Sequence, residues 1–270
     1  MLFTCNNKLK SCVFGYLSFN NYGDELLAKT LIHIYGLENY SLLSKKSSIL
    51  KHIQQFSHAN QVFVIGGLFQ DETSFLSLVY YLTVIMIFKI LNKKIFLVSV
   101  GLGPIKLEVS KFLLYQVLKN IKNISVRDKY SKDLLMELGI KVVEDKDLVF
   151  YNKHQDFSNV FKKEKTLVCV RNENDWLLAK ERFEFEQFDL LLMQQEFALA
   201  EQIQAETPFG IDVYDAFAFE YIEILNLVAS YKKVISSRYH CAIFALQTNT
   251  DLCILEISPK LSSLKPMIIN

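Results

Sequence analysis

The sequence lacks several features that would assign it to a specialised class of protein. It contains no internal repeat and no low-complexity tract. Its 30 basic and 29 acidic residues nearly cancel, and no block of like charges occurs, which argues against a nucleic-acid partner that would need a basic face. The five cysteines have neither C-x-x-C nor zinc-finger spacing. We therefore expect reduced thiols in a cytoplasmic protein.

Long hydrophobic runs are also missing. The N-terminus has no apolar stretch of the kind that secretion signals contain. The longest apolar run, residues 75–88, is shorter than the roughly twenty residues that a membrane span requires. A helix that is apolar on all sides normally lies between other elements of a core. The run therefore predicts a buried helix, with a membrane-facing surface as the alternative, and at most peripheral contact with the inner face of a membrane.

What the sequence does contain is an alternation of β-rich runs and helical patterns, which is typical of parallel βαβ units. In the first half, strands are predicted at 11–16, 61–65, 94–100 and 123–126, and helices at 24–35, 75–88, 108–119 and 131–138. A polar, lysine-rich stretch at 150–165 predicts a linker. Beyond it, strands are predicted at 166–170, 188–193, 233–236 and 252–257, and helices at 195–206, 215–231 and 241–247. We predict an α/β protein with two Rossmann-like domains facing a cleft, residues 1–155 and 165–270.

One strand-to-helix junction combines an arginine with a histidine. Arg238 and His240 follow the predicted strand at 233–236, and the carboxyl end of a strand in an open α/β sheet faces the ligand crevice. The arginine side chain suits a carboxylate or a phosphate, and histidine can carry a proton near neutral pH. The pair predicts a site for an anion that also needs a proton. The alternative is that both residues cap the next helix or satisfy a buried carbonyl.

Three loops in the first half resemble ligand loops. Each follows a predicted strand and contains glycines, which let the backbone approach a ligand. The candidate residues in these loops are Asn21, Asp24, Glu25, Gly66, Gly67, Asp71, Gly101 and Gly103. Asp24 and Glu25 would also serve as an ordinary acidic first turn of a helix. No dinucleotide fingerprint or P-loop lysine motif is present.

Further cations follow other predicted strands. Arg127, Arg171 and Lys260 each stand at or just beyond a strand end, on the side where a doubly wound fold binds its ligands. Several cations at that side would favour a small polyanion. For Arg127 the alternative is a structural pair with Asp128, and Asp128 can also cap the next helix.

Six segments, taken in this order, resemble the motifs of the polysaccharide pyruvyl transferase family. They are residues 15–25 (ending NYGDE), 68–71 (LFQD), 101–104 (GLGP), 125–139 (beginning SVRD), 147–150 (DLVF) and 238–240 (RYH). The resemblance spans residues 11–260. The sequence departs from the family pattern where a glycine trio is reduced to Gly66 and Gly67, and where Leu148 and Tyr239 replace the usual proline and leucine.

The resemblance implies a glycosyltransferase-B-like fold and transfer of a pyruvyl group from phosphoenolpyruvate onto a sugar as a ketal, with release of phosphate. The acceptor would be a sugar of a cell-surface polysaccharide or of its precursor, either free or carried on a lipid. The family's functional arginine, histidine and lysine fall on Arg238, His240 and Lys260. No metal and no cofactor besides the donor is implied. The first domain is the expected acceptor side, and the second is the expected phosphoenolpyruvate side.

The residue chemistry agrees with this donor, because phosphoenolpyruvate carries a carboxylate and a phosphate and requires fixed cations. Arg238 would bind these groups, with Arg127 or Arg171 as a second clamp. His240 would donate a proton or stabilise the leaving phosphate, and Lys260 would balance charge. The acidic residues of the first half, Asp24, Glu25 and Asp71, would orient or deprotonate the sugar hydroxyls.

Two other functions stay open. One is a nucleotide-sugar glycosyltransferase on the same fold, although the sequence reveals no pocket for base and ribose. The other is a family member that only binds a glycan or a partner enzyme. The short stretch after Lys260 favours this second alternative, whereas the retention of Arg238, His240 and Lys260 argues against it.

Overall fold

The computed structural model describes residues 3–72, 74–152, 156–183, 187–255 and 259–264, with the side chains of Pro259 and Lys260 left out. The chain divides into two compact units. The first comprises residues 1–19 and 24–151, and the second comprises residues 20–23 and 152–270. Each unit contains one parallel sheet flanked by helices, which confirms the predicted α/β class.

Six parallel strands form the sheet of the first unit. They are β1 (Ser11–Phe14), β2 (Tyr40–Leu43), β3 (Gln61–Val64), β4 (Lys94–Val100), β5 (Asn123–Val126) and β6 (Val143–Glu144). Their order across the sheet is β2-β1-β3-β4-β5-β6. Strands β1 and β3 are buried along their whole length, as expected for the centre of a parallel sheet that is covered on both faces.

The apolar run of the sequence forms a core helix of this unit. The helices here are α1 (Tyr22–Tyr35), α2 (Ile49–His58), α3 (Phe75–Ile90), α4 (Glu108–Leu118) and α5 (Lys129–Glu137). Helix α3 buries Leu78, Tyr81, Leu82, Val84, Ile85 and Phe88. Within the described ranges, no helix combines the length and apolar character needed to cross a membrane. The prediction of a buried helix at 75–88 is therefore confirmed for one side of the helix only, because Leu76 is 76 % exposed.

Five parallel strands form the sheet of the second unit. They are β7 (Lys163–Cys169), β8 (Phe188–Leu192), β9 (Val213–Asp215), β10 (Tyr231–Ser236) and β11 (Asp251–Ile254). Their order is β11-β10-β7-β8-β9. The helices are α6 (Glu173–Arg182), α7 (Phe197–Glu206), α8 (Tyr221–Ala229), α9 (Tyr239–Gln247) and α10 (Pro259–Ser262). At the centre of the sheet, Ser236 of β10 is in register with Cys169 of β7, so the loops after these two strands leave the same edge.

Two boundaries differ from the sequence predictions. The expected linker at 150–165 is shorter, because β7 already begins at Lys163 and pairs with β10 there. The helix predicted at 215–231 is interrupted: Asp215 ends β9 and accepts a hydrogen bond from the Phe217 N–H, 3.0 Å. A new start follows at Glu220, whose capping box with Glu223 begins α8. Local side-chain hydrogen bonds therefore divide a stretch that has continuous helical periodicity.

Candidate functional site

The candidate site of the second unit is built around Arg238, which follows β10. A turn fixes its backbone, since the Arg238 N–H donates to Ser236 Oγ at 3.0 Å and Ser236 Oγ donates to the Arg238 carbonyl at 2.9 Å. Arg238 stands at the N-cap position of α9, but its side chain makes no capping hydrogen bond. The capping alternative therefore does not describe this arginine.

The Arg238 guanidinium is instead held by the loop after β8. Nη1 donates to Gln194 Oε1 at 3.0 Å, and Nη2 forms an ion pair with Glu196 Oε1. The Glu196 carboxylate is fixed in turn, because its Oε2 accepts from the Gln194 N–H at 2.9 Å. Nε is buried and meets no hydrogen-bond acceptor in the described part of the chain. The arrangement leaves a cationic side chain whose buried Nε–H can donate to a ligand.

His240 lies in the first turn of α9 and is only 8 % exposed. Its ring packs against residue Gly23, in the short segment 20–23 that clusters with this unit. That segment is anchored by two hydrogen bonds: the Tyr22 N–H donates to the Met193 carbonyl at 2.9 Å, and Asn20 Nδ2 donates to Gln195 Oε1 at 2.9 Å. The imidazole is thus held between its own helix and the anchored first turn of α1, which favours one fixed ring position.

Arg171 follows β7, the strand adjacent to β10. Its Nε and Nη2 donate to the two carboxylate oxygens of Asp175 at 2.8 and 3.2 Å. Burial alone would raise the pKa of Asp175, but the Arg171 guanidinium outweighs it and lowers that pKa. The Arg171 side chain is 39 % exposed, so one face of this cation is still open to solvent at the same sheet edge as Arg238.

The third predicted catalytic residue is less defined. Lys260 lies in α10, after β11, and its side chain is outside the described residues. Strand β11 neighbours β10, and α10 follows β11 in the chain. The structure therefore brings Arg238, His240 and Arg171 to one edge, and the proposed role of Lys260 stays a prediction.

In the first unit, the predicted glycines lie where side chains approach the backbone closely. A Cβ on Gly101 would be 2.5 Å from Arg127 Nε, and a Cβ on Gly103 would be 2.6 Å from the Cβ of Gln70. Gly66 has a φ of +86°, and a Cβ there would be 3.1 Å from Asp24 Oδ1. These loops follow β3 and β4, which are neighbours in the sheet, so the structure gathers the predicted Gly66, Gly67, Gly101 and Gly103 at one edge.

The pairing suggested for Arg127 is wrong in its partner. Arg127 Nη1 forms an ion pair with Asp147 Oδ2 at 2.7 Å, and both side chains are almost fully buried. The Asp128 carboxylate accepts a hydrogen bond from the Ser131 N–H at 2.8 Å and caps α5. The prediction that Asp128 caps the next helix is confirmed. The two residues of this ion pair are 20 positions apart in sequence. They meet because Arg127 follows β5 and Asp147 lies in the turn after the neighbouring β6.

Two of the acidic candidates bind backbone N–H groups. Asp71 accepts from Lys106 and Leu107 at 2.8 and 2.9 Å. Burial acts to raise its pKa, but these donors outweigh burial and lower it. Glu25 Oε1 accepts from the Ser18 N–H at 2.6 Å. Both carboxylates therefore hold loops in place, and the low pKa of Asp71 makes it a weak base.

Sequence reasoning missed Gln194 and Glu196, which hold Arg238. Glu196 stands just beyond the strand predicted at 188–193, a position equivalent to those of the predicted cations, so the sequence contains a signal for it. Its partner Arg238 is 42 residues away in sequence, and no local motif indicates such a pair.

Comparisons with known proteins agree on family and fold. The family model described as polysaccharide pyruvyl transferase matches residues 21–258. A search of curated proteins found no match. Among solved structures, UDP-GlcNAc 2-epimerase of Methanocaldococcus jannaschii in complex with UDP-GlcNAc and UDP has a TM-score of 0.55 at 11 % identity, covering 94 % of this chain and 86 % of that one. S. aureus MnaA with UDP has a TM-score of 0.55 at 12 % identity, with 94 % and 80 % covered. At these identities the likeness shows a glycosyltransferase-B-like fold and nothing more specific.

Proposed function

The chain belongs to the polysaccharide pyruvyl transferase family, and from that membership we propose that it transfers a pyruvyl group from phosphoenolpyruvate onto a sugar. The family makes it a polysaccharide-modifying transferase. The proposed reaction forms a ketal on a cell-surface polysaccharide, such as a cell-wall polymer, or on a precursor that a lipid can carry. Phosphate is the second product.

The observation that carries this proposal is the buried Arg238 Nε, which has no acceptor within the described residues. A buried donor without a partner costs roughly 1–3 kcal/mol, and an anionic oxygen of a ligand would remove that cost. Arg171 follows the adjacent strand, so a second cation stands at the same edge. A ligand with both a carboxylate and a phosphate matches two cations better than a neutral sugar does.

The proposed chemistry is an addition followed by an elimination. A proton adds to C3 of phosphoenolpyruvate and a sugar hydroxyl oxygen bonds to C2. The bond between C2 and the phosphate oxygen then breaks, and a second hydroxyl bonds to C2 and closes the ketal. Two hydroxyl protons are released: one balances the proton gained at C3 and the other leaves with phosphate. No oxidant or reductant is needed.

We assign the roles in this reaction by residue chemistry. Arg238 binds the anionic groups of the donor, with Arg171 as a second clamp. His240 donates the proton or stabilises the leaving phosphate, and Lys260 balances charge. No cofactor besides the donor enters the scheme.

We assign the sugar acceptor to the loops of the first unit. Asp24, Glu25 and Asp71 are the carboxylates that we propose for orienting the hydroxyls, and Glu25 and Asp71 also accept backbone hydrogen bonds. The close approach of Gly66 to Asp24 keeps the Asp24 carboxylate beside the loop. The remaining acceptor-side candidates in these loops are Gly67, Gly101 and Gly103. Asn21, in the segment 20–23 of the second unit, is a further substrate-binding candidate, and Arg127 is the alternative second clamp for the donor.

The test is incubation of the purified protein with phosphoenolpyruvate and a panel of sugars that carry neighbouring hydroxyls. Phosphate release should depend on both substrates, and the product should show the methyl signal of a pyruvyl ketal by NMR. UDP-GlcNAc, the ligand named for the M. jannaschii structure, serves as the competing donor. Turnover of UDP-GlcNAc without turnover of phosphoenolpyruvate would contradict the proposal and favour a nucleotide-sugar glycosyltransferase. Glycan binding without turnover of either donor would favour a binding protein.

A further inference from the structure

Helix α2 of the first unit carries an apolar stripe that the unit does not cover. Ile49, Leu50 and Ile53 are 80, 75 and 57 % exposed, and none of the residues of α2 is buried. Residues three and four positions apart lie on the same side of a helix, so the three side chains form one continuous strip. Exposed aliphatic side chains that form a contiguous patch mark an interaction site more often than single exposed side chains scattered over the surface.

The stripe belongs to a helix that is fixed in position. Ser48 caps its first turn by accepting from the Lys51 N–H at 3.2 Å. The Phe56 ring packs against Phe88 of α3, with centroids 5.0 Å apart. His52 Nε2 lies 2.7 Å from the hydroxyl of Tyr80. His52 and Phe56, which lie along one edge of the stripe, therefore hold α2 to the core, while Ile49, Leu50 and Ile53 remain exposed.

The charged residues nearest to the stripe in sequence have a single sign. Lys45, Lys46 and Lys51 are all exposed, and the sequence has no aspartate or glutamate between Glu38 and Asp71. The ammonium groups of Lys45 and Lys46 lie 5.9 Å and 4.5 Å from the ring centroids of Tyr80 and Phe19. Exposed lysines that precede and interrupt an apolar strip match a partner that is anionic and apolar at once.

We propose that α2 docks on an anionic phospholipid surface, with the stripe inserted at the boundary of headgroups and acyl chains. A helix with an apolar face and lysines at its flank binds the membrane interface through buried apolar area and attraction to anionic lipids. The surface lies in the first unit, the side that we assign to the acceptor. The inference does not depend on which donor the enzyme uses.

A second copy of this chain fits the stripe less well. In a two-fold symmetric dimer the same patch faces itself, so the three lysines would meet the same three lysines. Three side chains also provide far less than the roughly 800 Å² per partner that a stable interface buries. Charge complementarity favours a lipid surface over a copy of the chain.

The experiment is co-sedimentation of the full chain with vesicles of phosphatidylcholine alone, or of an equal mixture of phosphatidylcholine and phosphatidylglycerol. The variant Ile49→Ser/Leu50→Ser/Ile53→Ser should partition at least about a hundredfold less, because each inserted aliphatic side chain contributes about tenfold. Lys45→Gln/Lys46→Gln/Lys51→Gln should lose about fivefold per lysine, and only at low salt on anionic vesicles.

The matched control replaces three exposed apolar side chains of the second unit: Phe161→Ser/Leu177→Ser/Phe197→Ser. These residues are 86, 50 and 47 % exposed, and this variant should bind vesicles like the parent. All substituted side chains are exposed, so unchanged circular dichroism is expected for each variant. Equal binding by the parent and the α2 variant, equal loss in the control, or no binding of the parent to anionic vesicles would overturn the proposal. A dimer that the α2 substitutions dissociate without lipid would also overturn it in favour of self-association.

Discussion

The imidazole of His240 lies directly against the α-carbon of Gly23, so no side chain fits at residue 23. A Cβ there would overlap ring atoms of His240 and would also come within 2.8 Å of the His240 Cβ. Because the obstruction includes that Cβ, rotation of the ring alone cannot relieve it. His240 can therefore occupy its observed position only because residue 23 is a glycine.

Gly23→Ala should displace His240 and lower turnover at least about tenfold, since small misplacements of catalytic groups have large effects on rate. Donor affinity, measured by calorimetry, should change less, because Arg238 is held separately by Gln194 and Glu196. Gly210→Ala is the control: a Cβ on Gly210 meets no atom within 4 Å, and turnover should be unchanged. Equal turnover in both alanine variants would show that the position of the histidine has no bearing on activity.

The Glu196 carboxylate competes with any anion for Arg238. Glu196→Gln keeps an acceptor for Nη2 but removes the negative charge, so phosphoenolpyruvate and inorganic phosphate should bind about fivefold or more tightly. Arg238→Ala should weaken donor binding at least about tenfold by the same reasoning. Calorimetry measures both. Weaker donor binding by Glu196→Gln would mean that the carboxylate positions the arginine more than it opposes the donor.

The buried pair of Arg127 and Asp147 should matter mainly for stability. Removing one partner leaves a buried charge without compensation, which costs about 3–5 kcal/mol, so Asp147→Ala should lower the free energy of unfolding by that amount in urea titrations. The double variant Arg127→Met/Asp147→Leu should recover most of the loss. The half-exposed ion pair of Lys132 and Glu144, 3.1 Å apart, serves as the control. Glu144→Gln should lower the free energy of unfolding by no more than about 1 kcal/mol. A similar cost for both pairs would contradict the importance of burial.

Acidic pH should lower the folding stability of the first unit, because the Asp71 carboxylate becomes protonated. Its folded pKa lies below the ordinary value, so its contribution to stability is complete above about pH 4 and is lost as the pH falls through the folded pKa. Asp71→Asn should therefore be less stable than the parent at neutral pH, and the gap should narrow at strongly acidic pH. Urea unfolding at several pH values measures this. Asp133→Asn, at an exposed position, should follow the parent at every pH, and a gap for Asp71→Asn that does not depend on pH would refute the assignment.

Periodicity and turn residues predicted much of the fold because local sequence determines them. The run at 75–88 has no polar face, and one side of the helix lies in the core as expected, whereas Leu76 on the other side is exposed. The junction at Arg238 and His240 was found because a strand pattern stops and a helix pattern begins there. Helix α2 was missed, although its apolar residues have helical spacing, because it lies among serines and lysines and none of its residues is buried. The adjoining β2 has only four residues and is exposed at its start. A strand this short has almost no recognisable hydrophobic pattern.

Side-chain partners were the part that sequence could not supply. Asp128 was the obvious partner for Arg127 because it is the next residue, but successive residues in an extended strand end point in different directions. The strand order places Asp147 beside Arg127 instead. Glu196 reaches Arg238 in the same way, since the loops after β8 and β10 leave the same edge of the second sheet. Charge pairs of this kind depend on sheet order, which no local motif encodes.

His240 is the sharpest test of the proposed chemistry, because a residue that moves protons affects turnover more than binding. General acid–base groups contribute roughly 10²–10⁴-fold, so His240→Ala should lose at least about a hundredfold in turnover. His240→Gln keeps a hydrogen-bond donor but cannot deliver a proton near neutral pH, and it separates the two roles. If the histidine carries the proton, both variants should be similarly slow while phosphoenolpyruvate still binds. If the histidine only orients phosphate, glutamine should restore most of the activity, which would refute the proton-donor role and leave the pyruvyl-transfer proposal intact.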